Sequence, residues 1–295
     1  MFPPKVVLAA VDFSEPSRVA LRCAARLAKH AGAGLHVLHA ADPWLANAAR
    51  AIGVDLGRET RDELSAFMQS AAPAGEWAPI HHVVGGPAVD VICEIAQREQ
   101  ADVIVVGMHG MSGAERVMFG STTEGVLRKA DASVLVVPDD WTPPRPDRPD
   151  LTGTGPIVAA VDLSLPAIAA ARAACRLAAL LGTSVDAVHV VPPLPVPTRW
   201  LAHAEAAVHQ RVEAARTELR AALHHVGAEV PVNMHVETGP VPERLAQAAT
   251  PARGLYPLLV LGRRTRPTRA GTPGSTAYRV LTMVKVPVLV YLPEQ

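Results

Sequence analysis

One pattern occurs twice in this chain of 295 residues, and the repetition constrains its fold more than any other feature. Residues 5–14 read KVVLAAVDFS and residues 155–164 read GPIVAAVDLS. Asp12 and Asp162 set an offset of 150 residues, which also relates Ser14 to Ser164, Pro16 to Pro166, Arg26-Leu27-Ala28 to Arg176-Leu177-Ala178, and His39 to His189. With a drift of a few residues, Pro87 answers to Pro240, Gly107 to Gly262, Gly120-Ser121-Thr122 to Gly274-Ser275-Thr276, and Val134-Leu135-Val136 to Val288-Leu289-Val290. So many landmarks in one order mark a duplication. Between the copies, residues 138–156 hold six prolines among Asp, Thr and Gly. Proline lacks a backbone N–H and clashes with a preceding helical turn, so this stretch reads as an extended, semi-rigid linker. Two domains are expected, residues 1–141 and 155–295, with the boundary within 142–154.

Within the first copy, apolar runs at residues 6–11, 35–40, 80–84, 103–106 and 133–138 read as short buried strands. Helical spacing falls between them. Ser14 can cap a helix that has Pro16 in its first turn, and Gly32 and Gly34 stop it. Further helices are expected within 57–71, over 87–99 and over 121–129. Strands that alternate with helices imply right-handed crossovers and a parallel open sheet of five strands, with helices on both faces. Ligands of such α/β sheets bind beyond the carboxyl ends of the strands, where the strand order reverses. Asp12, the His39-Ala40 end and the segment from Gly107 all fall at those ends.

Composition excludes several classes. Lys+Arg and Asp+Glu both total 28, which argues against a nucleic-acid footprint or an anionic membrane surface. No apolar stretch approaches the roughly 20 residues of a membrane span, and no secretory signal is expected at the Met1 end. The reading is a soluble, cytoplasmic protein. Cys23, Cys93 and Cys175 are scattered and form no CxxC spacing, so they read as small apolar residues in a reducing compartment. Among the 12 histidines, none makes an HExxH or Cys/His ligand spacing, and no metal site is expected. His36 and His39 should face opposite sides of one strand. Residues 205–224 read as an amphipathic helix of mixed charge.

The segment that carries chemistry is VGMHGMSGAERVMFGST, residues 106–122. Gly107, Gly110 and Gly120-Ser121 are spaced G-x2-G-x9-G-[ST] between a strand and a helix. Glycines let the backbone turn tightly and approach a ligand without a Cβ in the way. Gly120, Ser121 and Thr122 bring N–H groups and hydroxyls to a helix N-terminus, where the dipole favours phosphate. The spacing is neither a Walker loop nor GxGxxG. A glycine loop that only makes a tight turn is the alternative. Met108 and His109 lie inside the loop; His109 either touches phosphate or is a solvated loop residue.

These residues together resemble the universal stress protein family in tandem form, over essentially the whole chain. The likeness rests on A-V-D-F-S at 10–14, L-H-A at 38–40, G-G-P at 85–87 and residues 107–122, with A-V-D-L-S at 160–164 and V-H-V at 188–190 in the second copy. The resemblance implies an adenine-nucleotide α-hydrolase-like fold and a pseudo-two-fold pair of domains joined through their fifth strands, with a homodimer also open. It implies a stress-response regulator that binds ATP, or AMP or ADP, with Mg accompanying the nucleotide. Ala10, Asp12 and Ala40 would form the adenine and ribose pocket, and Gly107, Met108, His109, Gly110, Gly120, Ser121 and Thr122 would hold the phosphates. Capping the helix that follows is an alternative role for Asp12 that does not exclude the first. Met111 departs from the family, which often places Arg or Lys there, and Arg116 is the nearby compensating charge. In the second copy Thr265 replaces the second glycine and the next spacing is one residue short. Arg263, Arg264, Arg266 and Arg269 offer charge there, but a degenerate copy with a structural role is expected. Catalytic residues are expected to be absent, since no nucleophile elbow or carboxylate pair occurs. A weak ATPase or phosphoryl or nucleotidyl transferase on the same crevice, and a non-binding scaffold, are the alternative functions.

Overall fold

The computed structural model describes residues 2–45, 48, 52–53, 55–71, 78–110, 120–142, 155–193, 201–227, 229–250, 258–263 and 275–293, with backbone only at 201–205 and 275. The chain divides into two compact units, Met1–Leu151 and Thr152–Gln295. The first runs β1 (Val6–Val11), α1 (Glu15–Ala31), β2 (Gly34–Ala41), α2 (Leu56–Ala71), β3 (Ile80–Gly85), α3 (Ala88–Arg98), β4 (Val103–Gly107), α4 (Ser121–Lys129) and β5 (Ser133–Val137). Its strands pair in parallel in the order β3-β2-β1-β4-β5. The chain moves outward from β1 to β3, then returns to the other side of β1 with β4. The carboxyl ends of β1 and β4 are therefore neighbours at the point where the order reverses, which is where open α/β sheets take ligands.

The second unit repeats the plan with β6 (Ile157–Ala160), α5 (Leu165–Leu181), β7 (Val185–Val191), α6 (Leu201–His224), β8 (Val232–Thr238), α7 (Val241–Ala248), β9 (Leu258–Gly262), α8 (Ser275–Met283) and β10 (Val288–Tyr291). Its parallel order is β8-β7-β6-β9-β10.

Burial follows the Val- and Leu-rich runs. Val7, Leu8 and Ala9 of β1, all of β4 and all of β5 are buried, while β3 at the edge is half-exposed along its length. Leu21, Leu64, Ile95 and Leu127 bring the four helices of the first unit onto this sheet and are fully buried. Each such side chain contributes about 1.5–3 kcal/mol by leaving water. His36 and His39, three residues apart on β2, do face opposite sides. His39 meets the Phe13 ring, which meets Phe67 of α2, whereas His36 lies toward Glu99 at the end of α3. Helices thus cover both faces. No helix among the described residues is long and apolar enough to cross a membrane.

The helix starts are set locally. Ser14 caps α1, its Oγ accepting from Ser17 N at 3.2 Å, and Ser164 caps α5, accepting from Ala167 N at 3.4 Å. Gly32 and Gly182 close the same helices with φ of 63° and 65°, a left-handed conformation that glycine adopts without a Cβ penalty. Ser14→Ala should lower the stability of the first unit by about 1 kcal/mol, read by urea unfolding, with Ser164→Ala doing the same in the second. Burial pushes the Cys23 thiol up to about 12, against a weaker opposing pull from Arg26, and burial also raises Cys175. Both should resist thiol reagents at pH 8 until the protein unfolds. The raised Cys23 value favours the folded state fully below its unfolded value of 9.0, so that contribution should fade as pH climbs from 9 toward 12.

Candidate functional site

The crevice begins at the turn from β1 into α1. Asp12 Oδ1 accepts from Ser14 N at 3.1 Å and from the Ser14 hydroxyl. Asp12 therefore does not cap α1; it fixes the residue that does. Between them Phe13 sits at φ 65°, left-handed backbone that costs an L-residue on the order of 1–2 kcal/mol. Its ring is held by His39, with centroids 4.3 Å apart, and edge-on by Phe67 at 5.6 Å. His39 is itself fixed through Nδ1, 3.0 Å from the Val11 carbonyl. Because Oδ1 is occupied by Ser14, the carboxylate presents Oδ2 elsewhere.

That oxygen lies against Gly110. A Cβ on Gly110 would come within 2.7 Å of Asp12 Oδ2, closer than real Cβ atoms approach anything. The first glycine has a different reason to be glycine. A Cβ on Gly107 would meet the backbone of Pro16 and the His109 carbonyl at 3.2 Å, so the end of β4 touches the first turn of α1. In the second unit a Cβ on Gly262 would reach Pro166 backbone atoms at 2.7 Å. The survival of Gly262 in a copy that has lost the second glycine is thus explained by packing alone.

The far end of the loop returns to the same place. Gly120 N donates to Met108 O at 3.0 Å, and Thr123 Oγ1, buried, donates to Gly107 O at 2.7 Å. A Cβ on Gly120 would stand 3.5 Å from Gly110 N and from His109 Cα, so the two glycines lie side by side. No side chain caps α4 at Gly120. The first N–H groups of a helix have no partner within it, and α4 starts at Ser121, immediately after Gly120. Ser121 is exposed and Thr122 half-buried. Ala10 and Ala40 complete the region from the strands. Ala10 pairs with Leu38 and Ala40 with Val84, which puts both alanines on one face of the sheet, each partly open.

His109 does something the sequence did not foretell. Its Nδ1 lies 2.7 Å from Asp139 Oδ2, and its backbone N donates to Asp139 Oδ1 at 3.3 Å. The imidazole is therefore tied to a carboxylate just after β5 and is not a freely solvated loop group. Asp139 carries no motif, and only the pairing of Met108 N with Val137 O brings it near. Met111 and Arg116 lie outside the described residues, as do Arg264, Thr265, Arg266 and Arg269 of the second copy.

A direct match decides the family: the model of the Universal stress protein family covers residues 4–138 and 153–291. The chain belongs to the universal stress protein family. Individual relatives match over a little under half of this chain. A universal stress protein of Methanocaldococcus jannaschii is 30% identical over 139 residues, covering 45% of this chain and 81% of that protein. Universal stress protein YxiE of Bacillus subtilis is 28% identical over 44% of this chain and 97% of its own length. A universal stress protein of Archaeoglobus fulgidus matches the tandem fold, with TM-score 0.63, 20% identity and 99% of each chain covered.

The close approach of Gly110 to Asp12 should appear as energetic coupling. Gly110→Ala should cost about 1–3 kcal/mol beside Asp12 and clearly less beside Asp12→Ala, measured as a double-mutant cycle of urea unfolding. Gly262→Ala should cost at least as much, because its Cβ would meet backbone and not a side chain.

Proposed function

We propose that the first unit binds an adenine nucleotide in this crevice and that the protein is a cytoplasmic stress-response regulator whose second unit plays a structural part. The observation that carries the reading is the side-by-side placement of Gly110 and Gly120 at an uncapped helix N-terminus, next to the Asp12 carboxylate. Backbone N–H groups aimed into a space without Cβ atoms suit phosphate oxygens. Asp12 Oδ2 is an acceptor for ribose hydroxyls or the base, and Ala10 and Ala40 offer small apolar surface for the adenine ring. Gly107, Met108, His109, Ser121 and Thr122 form the rest of the cradle.

Electrostatics shape which nucleotide is favoured. Residues 107–110 and 120–123 contain no Lys or Arg, and Asp12 and Asp139 bring carboxylates to the same loop. At these described residues phosphates would rely on backbone donors, and a Mg ion accompanying them would offset the acidic neighbours. The reading commits to an adenine nucleotide and leaves the number of phosphates to measurement.

The test is direct. Purified protein, denatured and spun, should release adenine nucleotide, or the stripped protein should take up ATP with one site per chain. Asp12→Ala should weaken uptake at least tenfold, the worth of about 1.4 kcal/mol. Protein that comes empty and takes up no ATP, ADP or AMP would overturn the reading. Steady ATP turnover that is lost in Asp12→Ala while binding persists would replace it with hydrolysis on the same crevice.

A further inference from the structure

On the opposite face from the Phe13–His39 contact, three side chains from separate elements converge. His36 of β2 is 7% exposed, His82 comes from the neighbouring edge strand β3, and Glu99 is the residue that closes α3. His36 Nδ1 lies 3.1 Å from His82 Nε2 and 3.8 Å from Glu99 Oε2, and one ligand atom from each of the three falls within 4.8 Å of the others. We propose that His36, His82 and Glu99 form a three-ligand site for a divalent transition metal of the zinc class, separate from the nucleotide crevice.

The chemistry of the donors selects the ion. Two imidazoles and one carboxylate suit zinc and its neighbours rather than Mg or Ca, which take all-oxygen sets. A tetrahedral ion with bonds of about 2.0–2.1 Å places its ligands roughly 3.4 Å apart, close to the spacing already present between the two ring nitrogens. Three protein ligands leave a fourth position for water. Burial, ahead of the smaller upward pull of Glu99 and the lowering effects of His36, Arg98 and His81, holds His82 below the ordinary imidazole range. The hydrogen bond from Arg98 holds the Glu99 carboxyl below the ordinary range, so it is ionised. Two imidazoles, one of them buried, and a carboxylate within reach of one another are donors that suit such an ion.

Without metal, the two rings satisfy each other. Arg98 Nη2 lies 3.4 Å from His82 Nδ1 and can only donate; if His82 Nδ1 accepts that bond, the proton of His82 is on Nε2, beside His36 Nδ1. Metal uptake moves that proton to Nδ1, and Arg98, whose side chain is 54% exposed, swings aside.

The duplication supplies an internal control. Asp186 and His235 occupy the register of His36 and His82 in the second unit. There Asn233 Nδ2 donates to Asp186 Oδ1 at 2.8 Å, His235 Nε2 stands 3.7 Å from that oxygen, and the residue closing α7 is Ala249 where α3 has Glu99. One site per chain is therefore expected.

The test titrates Co(II) into the full-length, chelator-stripped protein and follows its visible absorption, then displaces it with Zn(II). The expected result is one equivalent with the intense band of four-coordinate cobalt, displaced by one equivalent of zinc. His82→Ala and Glu99→Ala, both at partly exposed positions, should each weaken uptake by more than the roughly 10–100-fold typical of losing a hydrogen-bond partner of a metal ligand, with unfolding of the metal-free protein little changed. His235→Ala should leave uptake as it was. No stoichiometric uptake, or uptake that survives both His82→Ala and Glu99→Ala, would overturn the proposal and leave a hydrogen-bonded histidine pair.

Discussion

Strand β4 meets the first turn of α1 with no room for a side chain between them, and the rest of the first unit is arranged around that contact. A Cβ at Gly107 would press on the Pro16 backbone, and Thr123 closes the same corner by donating to the Gly107 carbonyl. Drawing β4 this close sets the ends of β1 and β4 side by side at the reversal of strand order, so residues ninety-odd positions apart share one crevice. The left-handed Phe13 then turns the chain from β1 into α1. Ser14 starts the helix while Asp12 holds Ser14, and the second oxygen of Asp12 is left facing Gly110.

The second unit separates what belongs to the fold from what belongs to the site. It repeats the left-handed residue at Leu163, with φ 64°, the Asp162–Ser164 bond, the serine cap and the His189 contact to the Val161 carbonyl. It also repeats the glycine at the end of its fourth strand, against Pro166. Backbone strain at this turn is therefore a cost of the strand-to-helix connection and is no mark of a ligand. What the second copy lacks in sequence is the glycine that faces the aspartate. On the proposed reading, what is specific to the first copy begins at Gly110.

Much of this was legible in the residues. Repeat landmarks located both units, and the caps at Ser14 and Gly32 and the Val-rich runs placed α1 and the strands closely, because these signals act over a few residues. For Asp12 the capping role falls to Ser14, since both side chains can bond the same turn and only geometry decides. The sequence reads Gly107 as a tight turn with room for a ligand, and the packing of its missing Cβ against Pro16 is not visible along the chain. The His109–Asp139 pair and the His36–His82–Glu99 cluster had no signal along the chain. They are created by which strands are neighbours and in what register, and a ligand spacing searched within one segment cannot find residues that three elements bring together.

The central claim is that two copies share one frame and only the first turns it into a nucleotide site. Backbone amide hydrogen exchange, with and without saturating ATP and Mg, tests it residue by residue. Slowing is expected at 107–110 and 120–124, where N–H groups would face phosphate, with the matching stretches 262–263 and 275–278 unchanged. Equal protection in both units, or none at residues 107–124, would contradict it.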